Sequence, residues 1–131
     1  MNNEVKSMWV SALRSGEYTK TTGVLCKNDL KTGELCFCAL GVLCNLWHNT
    51  VGKDMGSEGW QHVPYKTIYQ MGQSTGSLPW DVREWAGLNE QDPRIVWIDS
   101  EGFEAVATVS EFNDTHNKTF LELADLIEQY L

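Results

Sequence analysis

The chain has 131 residues, 42% of them apolar, and its 18 Asp and Glu outweigh 10 Lys and Arg to give a net charge of −8. That length suits one domain rather than two, the apolar share argues against disorder, and a core can form without metal or disulfide staples. The acidic balance repels phosphate backbones and so disfavours direct nucleic-acid binding.

Val5, Met8, Trp9, Ala12 and Leu13 recur at the spacing of an amphipathic helix, which the sequence places over residues 4–15. Asn2 or Asn3 can cap its start and Gly16 can end it. Residues 18–26 are rich in Thr, Tyr and Val and suit a strand; Asn28, Asp29 and Gly33 supply turn chemistry before a second strand over 34–38. This pattern predicts a hairpin with a long loop. It leads into a short buried helix from Ala39 to Trp47, where Gly41 points to close packing of another backbone against that face. Glycines at 52, 56, 59, 72 and 76 interrupt residues 49–77, which are expected to be irregular or mobile apart from a possible strand between Trp60 and Tyr69.

Pro79, after a cap site at Ser77 or Leu78, opens a short helix that Gly87 ends. Residues 94–98 and 103–108 form a second hairpin around Asp99-Ser100-Glu101-Gly102, and Asn113-Asp114 reads as a turn. Thr119 and Glu122 make a capping-box pair ahead of a C-terminal helix carrying Phe120, Leu123, Ala124, Ile127 and Leu131. The expected fold is α+β: one domain over residues 1–131, with antiparallel hairpins packed against N-terminal, central and C-terminal helices.

Cys36, Cys38, Cys44 and His48 are the candidates for a metal site, but their spacing matches no paired zinc knuckle, and reduced, buried thiols are favoured. No phosphate loop or glycine-flanked serine elbow is read, and helically spaced carboxylates such as Asp54 and Glu58 suit a solvated surface. No catalytic residue and no cofactor is expected. The six tryptophans and three arginines are more informative. Stacking rings plus a few placed guanidinium groups hold nucleotide-like ligands.

Trp9-Val10-Ser11-Ala12-Leu13-Arg14-Ser15-Gly16-Glu17-Tyr18 and Cys36-Phe37-Cys38-Ala39-Leu40-Gly41-Val42-Leu43-Cys44 together resemble a group of small phage and prophage proteins. Leu78-Pro79, Trp85-Ala86-Gly87-Leu88, Phe112-Asn113-Asp114 and the Thr119-Phe120 to Glu128 segment fit the same group, so the resemblance spans most of the chain outside the middle loop. It implies an accessory protein of the bacterial host cytoplasm. The absence of a basic-then-apolar leader, and of any apolar run near the roughly 18 residues needed to span a membrane, agrees with that location.

By analogy of lifestyle, two functions are expected. One is sequestration, without chemistry, of a nucleotide-derived immune signal such as an ADP-ribose derivative or a cyclic nucleotide. Its ligand would lie between Arg14, Tyr18 and Lys20 on one wall and Trp80, Arg83, Trp85 or Arg94 on another, with Asn113 and Asp114 bonding ribose or base edges. A second subunit would often complete such a pocket, making a homo-oligomer possible. The alternative is an acidic inhibitor, akin to anti-CRISPR proteins, that captures a basic host defence protein. It would gather carboxylates from Glu101, Glu104, Glu111, Asp114, Glu122, Asp125 and Glu128 on one face. A signal-degrading enzyme is a third possibility.

Overall fold

The computed structural model describes residues 1–131 and begins with helix α1, Asn3–Arg14. The Asn2 side chain accepts the Val5 N–H at 3.1 Å, satisfying one of the donors that a helix start leaves open. The apolar stripe buries Val5, Trp9, Val10 and Leu13, and the Trp9 indole donates to the Ala39 carbonyl at 2.9 Å.

Three short strands follow: β1 (Thr19–Lys20), β2 (Cys26–Asn28) and β3 (Leu35–Phe37). The expected first hairpin is present only between β2 and β3, which pair antiparallel with Cys26 opposite Phe37. Residues 18–26 are not one strand. The chain leaves β1 at Thr21, turns through Gly23 and returns on the other side of β3, so that β1 and β3 run parallel.

Helix α2 (Ala39–Trp47) is almost wholly buried, and the Cys38 Sγ accepts the Gly41 N–H at its start. A Cβ at Gly41 would collide with the backbone carbonyl of Leu25, the close approach expected from the glycine. One π-helical turn, His48–Gly52, prolongs α2.

The segment 49–77 is more regular than the sequence predicts. It contains β4 (Trp60–His62) and β5 (Ile68–Met71), an antiparallel pair that joins β2 to complete a five-stranded sheet in the order β1-β3-β2-β5-β4. The many glycines mark the turns around this hairpin rather than the loss of structure. Pairing with a preformed edge stabilises strands too short to declare themselves by periodicity.

Helix α3 (Trp80–Ala86) begins after Pro79, which stands at the cap position in an extended conformation, and ends at Gly87 with φ +69°. Strands β6 (Arg94–Ile98) and β7 (Glu104–Thr108) form a separate two-stranded antiparallel ribbon, as expected. Asn113-Asp114 does not form a turn. It closes a further helix, α4 (Val109–Asp114), capped by Thr108, whose side chain accepts the Glu111 N–H. Helix α5 (Phe120–Tyr130) starts with the expected Thr119–Glu122 capping box.

The core joins α1, α2 and α5 to the inner faces of both sheets, with Trp9, Leu25, Leu40, Leu43, Ile95, Leu123 and Ile127 fully enclosed. Each such side chain contributes about 1.5–3 kcal/mol by leaving water. The fold is α+β. No helix is long and apolar enough to cross a membrane.

Candidate functional site

The nine side chains expected to share one site fall among different sets of partners. Arg14 reaches from α1 to α5, its Nη1 donating to Glu128 and its Nη2 to Asp125, both at 2.8 Å. Those carboxylates raise its pKa further. Arg94 pairs with Glu90 at 2.8 Å. Tyr18 packs edge-on against Phe37 and accepts a hydrogen bond from Asn45 at 2.9 Å, while Lys20 donates to Asn117 at 2.9 Å.

Asn113 and Asp114 serve the fold. Asn113 is fully buried; its Oδ1 accepts the Ala39 N–H at 3.1 Å and its Nδ2 donates to the Thr21 carbonyl at 2.9 Å. Asp114 accepts the Gly23 N–H at 3.1 Å and the Asn113 amide at 2.7 Å. Asn113 is not free to read a ribose or a base, and Asp114 is tied to the Gly23 turn and to Asn113. Trp85 is partly buried against the core.

Trp80 and Arg83 do come together. Trp80 is 65% exposed, and the Arg83 guanidinium carbon lies 5.3 Å from the centre of its ring. The Arg83 Nη2 donates to the Asn89 carbonyl, whereas its Nε is buried without a partner. A buried donor left unpaired costs about 1–3 kcal/mol. Depressions of about 470 and 440 Å³ flank the pair.

Beside this shelf lies a larger hollow of about 500 Å³, which sequence reasoning missed. It is framed by the turn before β4, the end of β5 and the start of α3, and Gln73 and Pro79 line both it and the adjoining depression. Its polar side chains are Ser57, Glu58, Gln61, Gln70, Gln73 and Asp81, with no Lys or Arg. The hollow thus offers acceptors and amides, and suits groups that donate hydrogen bonds rather than a phosphate. The available signal was the run of amides and glycines in 52–73, whose spatial convergence depends on the β4–β5 hairpin.

Within the hollow, the Ser57 Oγ lies 2.9 Å from the His48 Nδ1, but its other bonds argue against a nucleophile and base. That Oγ already accepts the Gly59 N–H at 3.1 Å, and the Nε2 edge of His48 lies against Gly59 with no carboxylate to orient the ring. The pair fastens the loop to the π-helical turn.

The four cysteines are free and buried, and they go to different places. Desolvation pushes the Cys26 thiol up to about 12 and Cys38 up to about 11, and raises Cys36 and Cys44 as well. Cys38 caps α2 and His48 bonds Ser57, and no cluster of three His, Cys, Asp or Glu side chains could hold a metal ion.

Several carboxylates considered for an acidic face are engaged internally. Asp125 and Glu128 hold Arg14, Glu122 caps α5 beside Lys118, and Asp114 holds Gly23.

No curated protein and no solved structure matches the chain. The family model for Domain of unknown function (DUF8296) matches residues 1–131, and the chain belongs to that family.

Proposed function

We infer that this protein works by binding and sequesters a nucleotide-derived small molecule without chemistry. The observation that carries this reading is the exposed Trp80 ring with the Arg83 guanidinium 5.3 Å from its centre, at the margin of the 500 Å³ hollow. A planar base stacks on an indole face, at about 1–3 kcal/mol per base. Arg14 and Arg94 are paired with carboxylates, whereas the Arg83 guanidinium tip bonds only a backbone carbonyl, through Nη2, and has Nη1 to offer an anionic group.

The neighbouring hollow complements the rest of such a ligand. Ribose hydroxyls and exocyclic amines donate hydrogen bonds, and Glu58 and Asp81 accept them; the amides of Gln61, Gln70 and Gln73 both donate and accept. A phosphate belongs at Arg83, outside the acidic hollow. In the setting implied by the resemblance to phage and prophage proteins, the ligand would be an immune signal of the ADP-ribose or cyclic-nucleotide class.

Calorimetry of the wild type and Trp80→Ala against ADP-ribose derivatives and cyclic dinucleotides tests this reading. Binding that Trp80→Ala weakens, with intact ligand recovered after denaturing the protein, supports it. No binding tighter than about 100 μM to any of them rejects it, and recovery of a cleaved ligand replaces sequestration with degradation.

A further inference from the structure

The β6–β7 ribbon has an apolar outer face and an open edge. Val96, Ile98 and Val106 are 46%, 63% and 51% exposed, and Phe103 at the turn is 66% exposed. Val96 stands opposite Val106, Ile98 opposite Glu104 and Arg94 opposite Thr108, all on one face, while Ile95 and Ala107 turn into the core. Hydrogen bonds from Val109 N to Pro93 O and from Asp99 N to Phe103 O bracket the ladder. The odd-numbered residues of β6 therefore bond to β7, and the N–H and C=O groups of Arg94, Val96 and Ile98 point away from it. β6 pairs with no other strand of the chain. An open edge beneath a contiguous apolar face is a template for another strand.

We propose that this edge pairs antiparallel with β6 of a second copy, about a two-fold axis through Val96. The register then sets Val96 against Val96 of the partner subunit and Arg94 against Ile98 of the partner subunit. Across the four strands the middle row becomes Val106, Val96, the partner's Val96 and the partner's Val106. Each outer row reads Glu104, Ile98, the partner's Arg94 and the partner's Thr108, so opposite charges from the two subunits flank one isoleucine. The same register brings Pro93 against the partner's Asp99, next to Arg94, and opposes no like charges.

The other edge is a poorer match. Pairing through β7 about Val106 would run the partner's turn into α4, which begins at Val109 directly after β7. Sterics thus select β6, and the occupant that fits is a copy of this same strand.

Sedimentation equilibrium of the full chain tests the proposal. The wild type is expected at twice the 14.8 kDa chain mass. Val96→Lys places two ammonium groups face to face at the axis and is expected to return the monomer mass. Val106→Lys, with the same chemistry one strand away, leaves the dimer. Hydrogen exchange gives a readout that needs no variant: the Arg94, Val96 and Ile98 amides are protected in concentrated wild type and lose protection on dilution, while core amides do not. A monomer mass at about 1 mM chain, free exchange of those three amides in a dimer, or dissociation by Val106→Lys but not by Val96→Lys would overturn it.

Discussion

The side-chain carbonyl of Asn113 accepts the backbone N–H of Ala39 at 3.1 Å, across 74 residues of sequence. That one bond satisfies a donor at the start of α2, while the same amide donates to Thr21 as the chain leaves β1. Asn113 thereby pins α4 to the central helix and to the sheet. Replacing it with Ala leaves a buried N–H and a buried carbonyl unpaired, each at about 1–3 kcal/mol. Urea denaturation should therefore show Asn113→Ala less stable by at least about 2 kcal/mol. Asn113→Asp keeps the acceptor but removes the donor and sets a carboxylate against Asp114. Its deficit should shrink as the pH falls through the carboxylate range, since protonation restores a donor; a deficit independent of pH would contradict this role.

Gly41 sets two effects against each other. Alanine is favoured over glycine inside a helix by about 1 kcal/mol. At this position, however, the new methyl would collide with the Leu25 carbonyl, which is backbone and is held by the Cys38 N–H at 3.2 Å. Overpacking of a core costs about 1–3 kcal/mol or more when the neighbour cannot move. Gly41→Ala should thus be destabilising overall by thermal and urea unfolding; a neutral or stabilising result would show that β2 can retreat from α2.

These two sites show what the sequence could disclose. A glycine amid Leu, Val and Cys signals a close approach, although the approaching residue, Leu25, is identified only by the fold. The amphipathic stripes and the Thr119–Glu122 pair are local signals, so α1 and α5 were legible. The Thr108–Glu111 pair carried the same kind of signal for α4, but Asn113-Asp114 looked like turn chemistry because a buried asparagine and an exposed one are identical on paper. The parallel β1–β3 pairing is non-local and leaves no pattern in two residues. The partners of Arg14 were hidden for a related reason: it meets Asp125 and Glu128 only after α1 and α5 pack together.

Burial also governs the cysteines. At pH 8 an ordinary thiol with a pKa of about 8.5 is roughly a quarter ionised. Desolvation takes Cys26 to about 12, which leaves only about one thiolate in ten thousand at that pH. A disulfide reagent should find no fast thiol in the native protein and should titrate all four after unfolding in denaturant. Rapid labelling of the native chain would mean that β2, β3 or the start of α2 opens readily.

The capping box of α5 predicts a pH dependence of definite sign. The Thr119 N–H bonded to the Glu122 carboxylate at 3.1 Å, with help from the Thr119 side chain and nearby Lys118, lowers the pKa of that carboxyl. A group depressed in the folded state adds stability above its unfolded pKa, about 4.3 for Glu, and loses it as pH falls through the folded value. The stability gap between wild type and Glu122→Gln should therefore be present at pH 7 and be lost as the pH falls through the depressed folded-state value. A Glu122 titration midpoint at or above 4.3 by NMR would remove the basis for this prediction.

Trp80 and Arg83 give the sharpest test of where a ligand binds. If a base stacks on the exposed indole, Trp80→Ala should weaken affinity by about 5- to 150-fold, the equivalent of 1–3 kcal/mol. Arg83→Lys keeps the charge but loses the planar fork and its stacking on the ring, so about tenfold weaker binding is expected rather than none. Arg14, already bound to Asp125 and Glu128, is not expected to reach the ligand, and Arg14→Ala should leave affinity unchanged while loosening α1 from α5. Calorimetry on these variants separates the shelf from the wider set of residues that the sequence suggested. Equal affinity in Trp80→Ala together with lost affinity in Arg14→Ala would move the site away from α3 altogether.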